Sequence, residues 1–337
     1  MPAANLRLTI DTTVLAENWR MLSRASGRAD CGAAIKADAY GLGAEKIIAA
    51  LARAGCRDFF VASWPEAVAL EPLSGARVAV LHGVQAGEMA AALASAAVPV
   101  LCTPAQVLAW RDTANGRECD VMVDTGMNRL GLGVGDLGLL DGLAIDTLHS
   151  HLACADTPDH PMNARQLGDF HAVAAAVPHR RASLSASAGI MLGRDYAFGL
   201  TRPGIGLYGG VVDGVAAVAG LEARVVQVRD VAPGQSIGYG ATWTAARPTR
   251  VAVLNIGYAD GCPAQANAGT VSAGDRHCPV IGRVSMDLLA ADVTGADVTE
   301  GDWLRLDFDL ATVAAATGRS QYELLTGLGH RYARRYQ

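Results

Sequence analysis

The chain carries 28 basic residues, and only two of them, Lys36 and Lys46, are lysines. A coding bias toward arginine accounts for the imbalance without any chemistry. The lysines that remain still merit inspection, because only lysine among the basic side chains forms a Schiff base with a carbonyl compound. Lys36 closes the apolar run GAAIKA and is followed by Tyr40, Gly41 and Gly43. A lysine at the end of an apolar strand is partly desolvated, which lowers its pKa and makes its amine nucleophilic. The same placement suits a lysine whose stem lies on apolar surface with its ammonium in water. Arg202-Pro203-Gly204-Ile205-Gly206 joins a guanidinium to a glycine turn. Such a turn can offer backbone N–H groups to a phosphate, and the guanidinium suits a planar acceptor such as a ring nitrogen. An ordinary tight turn has the same composition. His151 in HSHLACAD and Arg129 in DTGMNRLG follow apolar runs, and each taken singly also reads as a structural or solvated residue. Tyr239 in IGYGATW and Tyr258 in IGYADG are flanked by glycines that let a ring project from a turn, although aromatic strand packing explains them equally.

Chemistry of this kind needs a scaffold that brings distant segments to one end. From about residue 30 to 208 eight short apolar runs recur: GAAIKA at 32, FFVAS at 59, RVAVLHG at 77, VPVLC at 98, DVMVDTG at 120, IDTLHSHLA at 145, RASLSASAG at 181 and GLTRPGIGLYG at 199. Amphipathic, alanine-rich stretches lie between them, at Ala44–Ala54, Pro104–Thr113 and Asn163–Val177. Alternation of this kind predicts a parallel sheet covered by helices, and the count of eight favours a closed (β/α)8 TIM-type barrel over an open doubly wound sheet. The polar and glycine-rich motifs fall just after the strands, where such barrels carry their active sites. After Gly209 the texture changes. Val211–Gly220 resembles a linker, and five strand-like segments follow at Glu222–Val231, Arg250–Ile256, Cys278–Val284, Leu288–Val293 and Asp302–Phe308, with a helical pattern only at Leu310–Gly318. This predicts a C-terminal, mainly antiparallel β domain. The expected division is a barrel over 11–213 and a β domain over 214–337, with the N-terminal strand within 1–10 joining the latter.

Composition excludes several classes. With 337 residues, 51% hydrophobic, the chain is too apolar for disorder and long enough for about two domains. A net charge of -5 argues against nucleic-acid binding, which needs a basic footprint. Seven dispersed cysteines without CxxC spacing read as free thiols in a reducing compartment, and Cys and His show no metal-binding spacing. The opening MPAANLRLTIDTT lacks the pattern of a secretory leader, and the alanine-rich stretch from Met89 to Cys102 is too short to span a bilayer. The expectation is a soluble, cytoplasmic protein.

Taken in order, AAIKADAYGLG, DTGMNRLG, SHLACAD, SASAG, RPGIGLYG, IGYGATW, IGYADG, GRVSMD and the ending YELLTGLGHRYARRY resemble alanine racemase of the pyridoxal-phosphate-dependent, fold-type III class. The resemblance runs from about Leu6 to Tyr336. It implies that Lys36 holds pyridoxal 5'-phosphate as a Schiff base and serves as one catalytic base. Tyr40, Ser187, Gly204, Ile205 and Tyr336 would hold the phosphate, His151 would pack against the cofactor ring, and Arg202 would hydrogen-bond the pyridine nitrogen. Arg129 would meet the cofactor's phenolic oxygen and the substrate carboxylate. Tyr239 would be the second base, delivered from the partner subunit of a homodimer, with Met286 binding the substrate carboxylate through its backbone N–H and Tyr258 narrowing the pocket. Racemisation needs a base on each face of the substrate, one to remove the proton and one to return it. The implied product is D-alanine for peptidoglycan.

The chain departs from the family at Met122, where a lysine modified to a carbamate usually braces the arginine at position 129. The expectation is that a chloride or a nearby carboxylate takes that role, or that substrate carboxylate binding weakens. Ala186 stands where an asparagine often precedes Ser187, and Tyr332 and Ala333 replace the valine and proline of the usual ending, which predicts a more mobile Tyr336. Other readings are a racemase of another small amino acid such as serine, a decarboxylase or aldolase on the same cofactor fold, and a pyridoxal-phosphate carrier. Tyr239 counts against the lyases, and the β domain counts against the carrier.

Overall fold

The computed structural model describes residues 4–70, 75–264 and 269–337, so the first three residues of the N-terminal stretch lie outside it. The chain separates into two compact units, one of Thr13–Ala216 and one that joins Met1–Thr12 to Ala217–Gln337.

The first unit is a barrel of eight parallel strands. In chain order they are Asp30–Cys31 continued by Ala33–Ala34, Asp58–Val61, Arg77–Val80, Val98–Leu101, Cys119–Met122, Ile145–His149, Arg181–Ser183 and Leu200–Thr201. Seven pair in sequence order, and the eighth pairs with the first. Two backbone hydrogen bonds close the remaining seam, Gly199 N to Ala182 O at 3.0 Å and Arg202 N to Ser185 O at 2.9 Å. Each strand coincides with one of the eight apolar runs, because strands covered on both faces need nearly continuous apolar residues. The helix Ala44–Ala54 shows why the intervening stretches coil. Ala44, Ile47, Ile48 and Leu51 are buried on one stripe, Glu45 and Arg53 complement the helix dipole, and Gly55 ends the helix at φ +119. In Pro104–Thr113 the Thr103 side chain accepts from Gln106 N, and proline opens the first turn.

Ion pairs join the N-terminal ends of the strands. Arg77 reaches Asp120 at 2.5 Å and Asp146 at 3.1 Å, and Arg181 pairs with Asp58 and with Asp146. Asp120 and Asp146 are buried, and each has more than one partner, Asp120 through Arg77 and His149 and Asp146 through Arg77, Arg180 and Arg181, so these carboxylates are compensated away from water. This end of the barrel serves stability, which leaves the opposite end for chemistry.

The second unit is built on an eight-stranded sheet in the order Thr249–Leu254, Leu289–Asp292, Arg276–Ile281, Thr270–Ala273, Trp303–Leu306, Ala219–Val231, Leu6–Ile10 and Ala333–Tyr336. The long strand Ala219–Val231 also pairs with Thr249–Leu254, with a register shift between Val225 and Gln227, so six strands close on themselves. All pairs are antiparallel except Leu6–Ile10 with Ala333–Tyr336. A hairpin of Ser236–Ile237 and Trp243–Thr244 packs Ile237 and Trp243 on a cluster of Val231, Ala245, Val251 and Ile281. The helical ending is longer than its sequence pattern, with Leu310–Thr317 followed by Gln321–Thr326. Among the described residues no helix is long and apolar enough to cross a membrane, and all seven cysteines are unpaired thiols.

Candidate active site

The sequence places Lys36 at the end of a strand. The strand in fact stops at Ala34, and Lys36 begins a single turn of left-handed helix. Ala37, Asp38, Ala39 and Tyr40 all have φ between 52 and 58. Four non-glycine residues in that conformation cost roughly 1–2 kcal/mol each, so local hydrogen bonding must offset the strain. Ala39 N donates to Ile35 O and Gly43 N to Asp38 O. Asp38 accepts from Ala44 N at 2.7 Å and so anchors the turn to the next helix. Glu66 accepts from Ala37 N at 2.9 Å and from Ala62 N at 2.7 Å, binding the turn to the end of the neighbouring strand. Burial pushes the Lys36 amine below its usual range, the cations Arg129 and Arg202 push it further, and Glu66 opposes them. A lysine so placed is a competent nucleophile and proton acceptor.

Arg202 is buried beside it. Its guanidinium donates to Ser183 Oγ and, at 2.7 Å, to Ser150 O. Burial lowers it to about 10, and nearby Asp120 opposes the fall. It therefore stays charged near neutral pH. His151 lies in the same electrostatic neighbourhood. Desolvation, then Arg202, Arg129 and Lys36, hold its imidazole well below the ordinary value, so it is neutral. Its loop hangs on Gln166, which donates to His151 O at 2.9 Å and accepts from Ala153 N at 2.9 Å. Lys36, Arg129, His151 and Arg202 thus come together at the C-terminal ends of four different strands.

Beyond Arg202 the backbone forms an anion cradle. Ser187 Oγ accepts from Gly204 N at 2.9 Å and from Gly206 N at 3.0 Å. Both lone pairs are thereby engaged, which leaves the hydroxyl proton to donate to an anion. Ile205 opens a short 3-10 helix next to it. Tyr40 reaches across from the left-handed turn. Its ring lies 4.8 Å from that of Tyr208, and a side chain at Gly204 would overlap its hydroxyl. Glycine is needed at 204 because the tyrosine oxygen occupies that space. Three nearby cations, a hydroxyl with a free proton and a glycine-lined turn match a phosphate-bearing carbonyl cofactor, so the residues present fit pyridoxal phosphate.

Of the two anions expected behind Arg129, a chloride or a carboxylate, no carboxylate is bonded to it among the described residues. Arg129 is exposed and makes no hydrogen bond or ion pair among the described residues, and Met122 is buried as an apolar side chain. Its loop is nevertheless shaped: Asp124 accepts from Gly126 N and Met127 N, both at 2.8 Å, and Leu132 N returns to Met122 O at 2.9 Å.

In the second unit Tyr239, Tyr258 and Met286 are exposed, at 72%, 61% and 53%. They sit on adjoining turns. Tyr258 N donates to Ser285 O at 3.0 Å and Ala259 N to Met286 O at 3.1 Å. A side chain at Gly257 would collide with the Met286 carbonyl. The turn of Tyr239 touches the same loop, since a Cβ on Gly240 would lie 3.8 Å from Arg283 Nη1. Tyr336 is not a loose end. It lies in the edge strand Ala333–Tyr336, paired in register with Ile10.

Several contributors escape sequence reasoning: Glu66 under the lysine turn, Ser150 and Ser183 on Arg202, Gln166, and the buried pair of His149 Nε2 with Asp120 Oδ2 at 3.0 Å. Ser150, Ser183, His149 and Asp120 are polar residues inside apolar runs, where buried polar groups need partners, whereas Glu66 and Gln166 lie on helices outside those runs. That signal marks them as bonded but does not say to what.

Two family models match the chain in order, the alanine racemase N-terminal domain over residues 10–211 and the alanine racemase C-terminal domain over 218–336. An alanine racemase described as biosynthetic, from Agrobacterium fabrum, is 42% identical, with 99% of this chain and 94% of the relative covered. An alanine racemase of Cereibacter sphaeroides is 43% identical, over 99% of this chain and 98% of the relative. The crystal structure of alanine racemase from Bartonella henselae with covalently bound pyridoxal phosphate superposes with a TM-score of 0.92 at 35% identity, over the whole of both chains. A basic, desolvated lysine beside an anion cradle in the barrel, and matches that run from one end of the chain to the other, lead to one conclusion: this chain belongs to the alanine racemase family.

Proposed function

We propose that the chain interconverts L- and D-alanine with pyridoxal 5'-phosphate carried on Lys36, and that it acts as a homodimer whose subunits share each active site. The observation that carries this reading is the depressed Lys36 amine beside the buried Arg202 and the Ser187–Gly204 cradle. When bound, the cofactor supplies the electron sink that acidifies the substrate Cα–H.

Tyr40, Ser187, Gly204, Ile205 and Tyr336 bind the phosphate. His151 packs on the ring. Arg202 donates to the ring nitrogen, and because it remains charged it does not surrender a proton there. Arg129 binds the substrate carboxylate from one side, and Met286 of the second copy offers its backbone N–H from the other. Lys36 takes or returns the proton on one face of Cα, and Tyr239 of the second copy does so on the opposite face. The exposure of Tyr239, Tyr258 and Met286 on adjoining turns supports a role toward another copy. Tyr258 narrows the pocket and so favours a methyl side chain over a longer one such as that of serine. We place the reaction in the cytoplasm, where seven free thiols suit a reducing milieu and D-alanine would enter peptidoglycan synthesis.

Chiral chromatography after incubating L-alanine with the cofactor-loaded protein tests the reading. Rapid appearance of D-alanine is expected, with loss in Tyr239→Phe while the absorbance of the Lys36-bound cofactor persists. Wild-type turnover surviving in Tyr239→Phe would overturn the two-base assignment. Failure to form D-alanine from a fully loaded wild type would overturn the activity.

A further inference from the structure

We propose that Arg331 is a positioning residue for substrate discrimination, clamping together the two turns that carry Tyr258 and Met286. Arg331 lies on the C-terminal tail and is the meeting point of three segments. Its Nε donates to Asp260 Oδ1 at 2.6 Å and its Nη2 to Asp260 Oδ2 at 2.8 Å, a two-pronged grip on one carboxylate. Its remaining arm, Nη1, donates to Asp287 Oδ1 at 2.7 Å. Asp260 belongs to the IGYADG turn, two residues after Tyr258, and Asp287 directly follows Met286.

The connection from clamp to turn is short and stiff. Asp260 is fully buried, and its Oδ2 also accepts from Gly257 N at 3.0 Å, so the carboxylate that holds Arg331 also shapes the turn under Tyr258. Gly329 N donates to Asp260 O at 3.2 Å and fixes the tail beside it. Tyr258 N and Ala259 N then bond directly to the Ser285–Met286 backbone. There is no slack at this junction, since a Cβ on Gly257 would strike Met286 O and one on Gly261 would strike Gly327 O. The backbone bonds set the separation of Tyr258 from the Met286 backbone, and one guanidinium bridging two carboxylates braces it from the tail. A lysine keeps the charge but cannot reproduce a forked grip on one carboxylate together with a bond to a second.

This inference rests on the reading that Tyr258 and Met286 line the substrate pocket of the other copy. The test is steady-state kinetics of the loaded enzyme with L-alanine and L-serine, for Arg331→Lys, Asp287→Asn and Tyr258→Ala. In Arg331→Lys the KM for alanine should rise about tenfold with kcat within about twofold, because a positioning error of about 1 Å weakens carboxylate capture. The preference for alanine over serine should fall about fivefold as the pocket loosens. Asp287→Asn takes the charge from one of the three bonds and should shift both quantities in the same direction by less. It also remains informative if Arg331→Lys does not fold. A structural role alone would lower the melting temperature and leave the alanine-to-serine ratio unchanged, and that result overturns the proposal. If Tyr258→Ala alters the ratio while Arg331→Lys and Asp287→Asn do not, the clamp is wrong and the pocket assignment stands. If Tyr258→Ala leaves the ratio untouched, the pocket assignment fails and the clamp proposal falls with it.

Discussion

Replacing Gly204 by alanine should weaken cofactor binding sharply while leaving the barrel folded. A methyl group at this position overlaps the Tyr40 hydroxyl and lies 3.1 Å from Tyr40 Cζ, whereas the Ala34 Cβ on its other side is at an acceptable 3.4 Å. Relief must therefore come from Tyr40. That ring has little freedom: its backbone sits at φ 58, its face lies against Tyr208, and Tyr208 is tied to Ala34 O at 3.0 Å. Restoring an ordinary carbon–oxygen contact requires the hydroxyl to withdraw by about 1 Å. From a normal O–H···O distance of about 2.7 Å, that movement breaks the bond to a phosphate oxygen. A hydrogen bond to a charged group contributes about 1.5–3 kcal/mol, so at about 1.4 kcal/mol per tenfold the Kd for pyridoxal phosphate should rise about 10–150-fold. Crowding should also lower folding stability by about 1–3 kcal/mol. The assay is titration of the apoprotein with pyridoxal phosphate, followed by absorbance, for Gly204→Ala, Tyr40→Phe and the double variant. Removing the hydroxyl first makes room for the methyl, so the double variant should bind about as well as Tyr40→Phe alone. An unchanged Kd in Gly204→Ala would refute the placement of Tyr40 in the cradle, and additive losses would refute the clash.

Three further outcomes are expected. Burial holds the His149 imidazole down at about 4 despite its bond to Asp120, so below the unfolded value of about 6.5 the unfolded chain binds the proton more readily than the folded one. This contribution to stability is complete above pH ~6.5 and is lost as pH falls toward 4; in chemical denaturation at a series of pH values His149→Gln, which keeps a donor for Asp120 and does not titrate, should flatten that segment, and an equal slope would exclude His149 as its source. In Gly131→Ala a Cβ would lie 2.7 Å from both Asp124 N and Val123 C, in a backbone at φ +130, so the loop bearing Arg129 must move; the KM for L-alanine should rise about tenfold or more with the cofactor still bound, and an unchanged KM would remove Arg129 from the carboxylate site. Burial raises the pKa of six thiols, Cys31 to about 11 and Cys102 to about 12 among them, while Cys154 is only half-buried; a thiol reagent should label Cys154 alone in the native protein, and a second fast thiol would contradict the packing.

Much of this molecule is legible in its sequence. The eight barrel strands were readable because a strand covered on both faces must be apolar almost throughout, and glycine or polar residues mark its ends. The helices Ala44–Ala54 and Pro104–Thr113 were readable from stripe and caps. Four strands were not. Thr270–Ala273 is four small residues, the hairpin strands Ser236–Ile237 and Trp243–Thr244 are shorter still, and Ala333–Tyr336 reads ARRY, a strand only because Leu6–Ile10 lies beside it. The anion expected near Arg129, a chloride or a carboxylate, follows from the resemblance and the methionine at 122; among the described residues no carboxylate bonds Arg129, and an exposed guanidinium can be balanced by water.

The sequence by itself determined the barrel strands and most of the other elements, the residues able to do the chemistry and, through its motifs, the family. These are local properties: a periodicity, a glycine, a side chain's functional group. Only the tertiary structure decided how those groups are tuned. The left-handed turn after Lys36 contains alanine, aspartate, alanine and tyrosine, none of which requires that conformation, and it is held by Glu66, 29 residues from Ala37. Asp120 meets His149 across 29 residues, and Arg331 meets Asp260 across 71 and Asp287 across 44. A charge or hydrogen bond acts through distance in space, and chain separation does not encode that distance until the barrel and the sheet have closed.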